Sequence, residues 1–249
     1  MGLKEIILKT TVIAATLLLP ASFSNQAKPV LENNLLSQQS TAPIKENLDL
    51  PYDAIGGEEE EDAPEIVVFY GQPLEGNAFV YVIDKSSSMG DSGELDIAKR
   101  EVRKNVTEFS ENVEFGVIFF DRNITKYPSS GNLVYGTMPN KTSAISFINS
   151  ITSGQGSCCR EALISGLEMI NKSKSERRIL TYVGDGGGTC SDIEPEPEYL
   201  RRTIASVTSA NYKRAKINCI GVLNPQPLNE DFMKNLASSN NGAYTKISR

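Results

Sequence analysis

The sequence contains no His and no Trp. Without His there is no Ser-His-Asp or Cys-His nucleophile pair, no imidazole base and no His-ligated zinc. Any chemistry must come from carboxylates, hydroxyls, thiols, Lys, Arg or backbone. Thiols are scarce as well, with four Cys in 249 residues and no CxxC pair, which disfavours a four-Cys zinc site. No basic stripe or interleaved aromatic cluster is present, so nucleic acid is not an expected partner. No small-molecule cofactor is expected either.

What is present divides the chain in two. The formal net charge is −6. Residues 1–76 hold 12 acids against 4 bases, leaving 19 acids and 21 bases for the remainder. The run Glu58-Glu59-Glu60-Glu61-Asp62 makes most of that difference, and charges of one sign so close together favour an extended, solvated chain. Near the N-terminus, Lys4 and Lys9 precede an apolar run from Thr10 to Leu19, followed by Pro20 and small residues, with Ser22 and Ser24 suiting a cleavage site. That run is about half the roughly 20 residues a spanning helix needs. The expectation is a cleaved export signal at 1–24, or an N-terminal anchor if it is not cleaved. Residues 25–64 read as a flexible acidic linker. The body, 65–249, then matures in an oxidising periplasmic, secreted or cell-surface setting.

The body alternates strand and helix. Apolar runs at Ala78–Ile83, Phe115–Phe120, Ile179–Val183 and Ile217–Val222 read as buried strands, with weaker ones at Leu133–Tyr135 and Ala243–Ile247. Helical spacing links Leu95, Ala98, Val102, Val106 and Phe109, then Leu163, Leu167 and Ile170, then Leu200, Ile204 and Val207, and finally Phe232–Ala237. A further helix bears Ala144, Phe147, Ile148 and Ile151, with Thr142 as its expected cap. Such alternation predicts an α/β fold, doubly wound around a mostly parallel sheet with helices on both faces. Sequons at Asn105, Asn123, Asn140 and Asn171 read as surface positions.

Ligands on such sheets bind beyond the carboxyl ends of the strands. After the first buried strand comes Asp84-Lys85-Ser86-Ser87-Ser88-Met89-Gly90, and after the strand at 179–183 comes Gly184-Asp185-Gly186-Gly187-Gly188. A third polar loop, Ser153-Gly154-Gln155-Gly156-Ser157, precedes the helix at 160–170. Each Asp alone would also suit a helix cap. Two carboxylates with several hydroxyls form an oxygen-only donor set, which suits Mg²⁺, Mn²⁺ or Ca²⁺. So few charges would leave a coordination position for water or for an acidic group of a partner.

These loops resemble those of the von Willebrand factor type A domain, the family of integrin inserted domains and many bacterial proteins. Its metal-ion-dependent adhesion site opens with D-x-S-x-S after the first core strand, matched here by Asp84, Ser86 and Ser88. Its second loop places a Thr before an "ALxxAL"-like helix. Ser157 holds that place, with Thr152 or Ser153 as alternatives. Its third loop is a "TDG"-like Asp, here Asp185. Phe69-Tyr70-Gly71 followed by Gly76 resembles the lead-in of bacterial secreted members. The resemblance covers roughly residues 66–249. It implies a sheet with one antiparallel edge strand, direct metal ligation by Ser86, Ser88 and Ser157, and Asp84 and Asp185 acting mostly through water.

If the loops converge, Cys190 comes near the vicinal pair Cys158 and Cys159. A disulfide from Cys190 is then expected, to Cys159 by a slight preference over Cys158, while mid-strand Cys219 stays a buried thiol. The functional expectation is an exported, non-enzymatic adhesion module whose cation takes a carboxylate from a protein partner. Two alternatives remain. One is a structural module with a vestigial site. The other is a Mg²⁺-dependent phosphatase resembling the haloacid dehalogenases, to which Gly184-Asp185-Gly186 is similar, although that family's D-x-D needs a second carboxylate where this chain has Ser86.

Overall fold

The computed structural model describes residues 63–188, 190 and 194–248. The expected signal at 1–24 and all of the expected linker except Ala63 and Pro64 lie outside the described residues.

Seven strands form the main sheet: β3 (Ala78–Asp84), β4 (Glu114–Phe120), β5 (Ile124–Tyr127), β6 (Val134–Tyr135), β7 (Arg178–Gly184), β8 (Lys216–Gly221) and β9 (Tyr244–Lys246). Their order is β5-β4-β3-β7-β8-β9, with β6 also paired to β4. All pairings from β4 through β9 are parallel, and only β5 and β6 run antiparallel, both on β4. The antiparallel edge therefore comes in two pieces. The second matches the weak strand expected at 133–135. The first escaped notice because its residues are exposed or half-buried, and an edge strand facing water needs no apolar run.

The helices are α1 (Ser87–Asp91), α2 (Glu94–Glu108), α3 (Met138–Ser150), α4 (Cys159–Ile170), α5 (Glu196–Ala210) and α6 (Pro227–Ser238). Strand residues alternate between two cores, as a two-residue period requires. Phe79, Tyr81 and Ile83 of β3 join Leu95, Ala98 and Val102 of α2 and Ala144 and Ile148 of α3. Val80 and Val82 face the other way, into a core with Leu163 and Leu167 of α4, Leu200 of α5 and Leu236 of α6. Burial on both faces explains why β3 reads as an unbroken apolar run. Among the described residues, no helix is long and apolar enough to cross a membrane.

Three local readings change. Thr142 does not cap α3: the helix starts four residues earlier, with Pro139 in its first turn, and the Thr142 hydroxyl donates to Met138 O at 3.0 Å inside it. Pro fits that first turn because it lacks only an amide that would have no helical acceptor there. Asn105 and Asn171 are buried, so those two sequons are not surface sites. Ahead of the sheet, β1 (Glu65–Phe69) and β2 (Gln72–Gly76) form a separate hairpin that the sequence reading did not resolve. Its two-residue turn puts Tyr70 at φ 50° and Gly71 at φ 76°, the pairing that matches the twist of a tight hairpin. Val67, Phe69 and Leu74 seal it against the α2 side of the core.

Candidate metal centre

The strand register sets the site. Asp84 pairs with Phe120, Ile83 with Val183, and Gly184 with Gly221, so β3, β4, β7 and β8 end along one edge. The segments at 85–86 (leading into α1), 121–123, 185–188 and 222–226 leave from that edge together. The loop before α4 joins it, with an isolated parallel bridge between Ser86 and Gly154.

Asp84 lies at the centre, 1% exposed. Its Oδ1 accepts the Ser86 amide at 2.6 Å, and its Oδ2 accepts the Ser157 hydroxyl at 2.9 Å. The Ser86 and Ser88 hydroxyls lie 3.1 Å apart. Ser157, not Thr152 or Ser153, is the hydroxyl that meets Asp84, across 73 residues of sequence. Ser153 instead packs on Gly90 of α1. Neither Asp caps a helix, since the residues preceding α1 and α5 are Ser86 and Pro195. Ser86, Ser88, Ser157 and Asp185 all line one open pocket of about 440 Å³. Among the described residues, Asp185 and Glu196 are its carboxylates, and no Lys or Arg lines it. Burial raises the Asp84 carboxyl to about 6, against the hydrogen bonds from Ser86 and Ser157, and the charge of Asp185 adds to the rise. A buried carboxylate ringed by hydroxyls, beside a second carboxylate and, among the described residues, without a cationic lining residue, fits a hard divalent cation.

Several supporting residues were missed. Lys85 points away from the pocket and pairs with Asp121 at 2.6 Å, both side chains being nearly buried. The backbone follows the same seam. The Gly154 amide donates to Lys85 O, and the Cys158 amide donates to Asp121 O, each at 2.8 Å. Gly154 has no room for a side chain, because a Cβ there would lie 1.7 Å from the Asp121 carboxylate. On the other side, the buried Tyr182 hydroxyl donates to Gly186 O, and Asn229 Oδ1 accepts the Gly187 amide at 3.3 Å. The loop after β8 adds Leu223 and Asn224 to the rim, both with positive φ (59° and 49°). The rule that ligands sit at strand ends, applied to β8, would have found it.

The disulfide joins Cys158 to Cys190, with Cα atoms 4.8 Å apart, correcting the slight preference for Cys159. Successive residues entering a helix point roughly 100° apart, so only one of a vicinal pair can face Cys190. Cys159 is fully buried in the α4-side core, and burial pushes its thiol well above the ordinary range. Cys219 is free and buried, as expected. Arg160 ties the same helix start to α5. Its guanidinium meets Glu194 Oε2 and Tyr199 O at 3.0 Å each and lies 4.0 Å above the Tyr199 ring.

No protein-family model matches the chain. Among curated proteins it is similar to inter-alpha-trypsin inhibitor heavy chain H3. It is 24% identical over 186 residues to the Rattus norvegicus protein and 23% identical over 184 residues to the Homo sapiens protein. Each match covers 71% of this chain, which spans about a fifth (20%) of the length of those relatives. Among solved structures it resembles a von Willebrand factor type A protein from Catenulispora acidiphila, with TM-score 0.60 and 16% identity over 77% of this chain and 48% of that one. It also resembles the vWF domain of a type V pili tip protein from Porphyromonas gingivalis, with TM-score 0.55 and 13% identity over 68% of this chain and 89% of that one. A pilus adhesin from Lactobacillus rhamnosus GG gives TM-score 0.56 and 13% identity, over 72% of this chain and 28% of the adhesin. The sheet order, the two-faced helical cover and these likenesses together establish that the described body has the von Willebrand factor type A fold.

Proposed function

We infer that the protein is an exported binding module that takes an acidic group of a protein partner through a divalent cation, Mg²⁺ in the first instance. The observation that carries this reading is the convergence on Asp84: the nearly buried carboxylate accepts from Ser86 and Ser157, and three serine hydroxyls and Asp185 line one open pocket that, among the described residues, has no lining cation. Ser86, Ser88 and Ser157 would hold the ion directly, and Asp84 and Asp185 through water. Bound there, the cation supplies an electrophilic coordination position for a carboxylate oxygen. The protein's own groups orient that position and perform no bond-breaking step. A D-x-D phosphatase would need an acid/base carboxylate where Ser86 stands. The structural likeness to pilus-tip and adhesin domains supports a binding role at a cell surface or outside the cell, and the Cys158–Cys190 bond supports an oxidising compartment.

Calorimetry of the purified chain with MgCl₂ and MnCl₂ tests this. One divalent ion should bind per chain, and Asp84→Ala and Ser86→Ala should each remove the uptake while the protein stays folded by circular dichroism. A folded wild-type chain that takes up neither ion would leave the vestigial-site reading in its place.

A further inference from the structure

The strand-end loops and the helix starts beside them carry three cations, and the structure treats them differently. Lys85 is consumed by Asp121 at 2.6 Å. Arg160 is consumed by Glu194, Tyr199 and Thr203. Arg122, one residue past Asp121, is exposed, and its guanidinium has no hydrogen bond or ion pair among the described residues.

Arg122 is nevertheless held at the rim. Its amide donates to Gln155 O at 3.2 Å, and its stem lies across Gly156. A Cβ at Gly156 would come within 2.7 Å of Arg122 Cγ and 2.9 Å of its Nε. Gly156 also has φ 75°, a backbone conformation that favours glycine. Gly156 lines the pocket and immediately precedes Ser157. The Arg122 side chain thereby lies against a pocket-lining residue that immediately precedes a proposed ligand.

We propose that Arg122 is a specificity-determining contact, and that the partner segment is a two-carboxylate acidic peptide: one carboxylate goes to the cation and the next to the Arg122 guanidinium. This deepens the proposed function and rests on it. The argument is charge complementarity. A partner segment with one acid would satisfy the metal and leave Arg122 facing water. Acids two residues apart in an extended segment lie on one face, about 7 Å apart, so such a segment seated on the cation turns a second acid to the same side. Arg is suited to the second contact because its planar fork binds a carboxylate through two parallel hydrogen bonds.

The test uses the full chain saturated with Mg²⁺ and two fluorescent peptides of Gly and acid, read by anisotropy. One has the core Gly-Asp-Gly-Asp-Gly, the other Gly-Asp-Gly-Asn-Gly. The diacid should bind about fivefold tighter, the scale of an exposed ion pair, and the advantage should shrink at 0.5 M salt. Arg122→Gln should erase the advantage while leaving Mg²⁺ affinity and monoacid binding unchanged, and Arg122→Lys should restore part of it. Arg100→Gln, in the middle of α2, should leave it intact. Mg²⁺-dependent binding of both peptides with no diacid advantage, or an advantage that survives Arg122→Gln, overturns this proposal and leaves the metal reading standing. Peptide binding that ignores Mg²⁺ overturns both.

Discussion

The two sides of the candidate centre are braced by different means. Toward β4, the loops after β3 and before α4 are locked by a noncovalent seam: the Lys85–Asp121 pair, two backbone hydrogen bonds and a glycine packed on the Asp121 carboxylate. Toward β8, the loop after β7 is rich in glycine and has few side chains of its own. It is held from outside, by the Tyr182 hydroxyl beneath, Asn229 alongside and the Cys158–Cys190 bond at its far end. A loop without side chains cannot make its own core, so a covalent tie to Cys158, next to Ser157, does that work. The contrast teaches that Ser157 is held from both sides, whereas Asp185 depends on the second set of braces alone.

The largest effect should come from the covalent brace. Replacing Cys158 and Cys190 together by Ser opens a loop with a sequence separation of 32. Chain entropy alone sets that loss at about 4 kcal/mol, read as a shift in urea midpoint. Mg²⁺ affinity should fall as well, and unchanged affinity in a folded variant would show that the disulfide does not brace the site. In the wild type, a thiol reagent should label no Cys in the native protein and two, Cys159 and Cys219, after unfolding without reductant, since both are free and buried. Four labelled thiols would deny the bond.

Breaking the noncovalent brace should cost somewhat less. Lys85→Met strands the nearly buried Asp121 carboxylate, at about 3 kcal/mol. Burial raises the Asp121 carboxyl, but hydrogen bonds from Lys85 and the Asn123 amide outweigh it and leave the group below its ordinary 3.8. A depressed acid stabilises the fold fully above its unfolded value and loses that contribution as it is protonated. The wild-type advantage over Asp121→Asn should therefore hold above about pH 4 and fade below it, as pH-resolved denaturation would reveal. An advantage independent of pH would mean that the pair adds nothing. Tyr182→Phe removes one buried hydrogen bond to Gly186, about 1 kcal/mol, and should weaken Mg²⁺ binding more than it lowers stability. The smallest effect concerns the acidic leader: deleting residues 25–62 should leave Mg²⁺ affinity unchanged, and a change would make the run at 58–62 a participant in the site.

Much of the fold was legible because β3, β4, β7 and β8 are buried on both faces, which writes each as an apolar run. The hairpin and β5 were not legible, because one half-buried face leaves too weak a pattern in four or five residues. At the site, Asp84, Ser86, Ser88 and Asp185 were readable from strand ends. Ser157 was readable only through its spacing to the α4 helix, and Thr152 and Ser153 competed with it.

The sequence by itself determined the alternation of strand and helix, the absence of imidazole chemistry and an oxygen-only donor set at the strand ends. These are local properties, carried by residue type and period. The tertiary structure decided which hydroxyl reaches Asp84, which of two adjacent cysteines meets Cys190, that Lys85 is spent on Asp121 and that the Arg122 guanidinium has no partner among the described residues. Each of those is a choice between neighbours in the chain, made by a partner tens of residues away. Strand register and the direction in which a side chain leaves its helix settle it, and neither is written in local sequence.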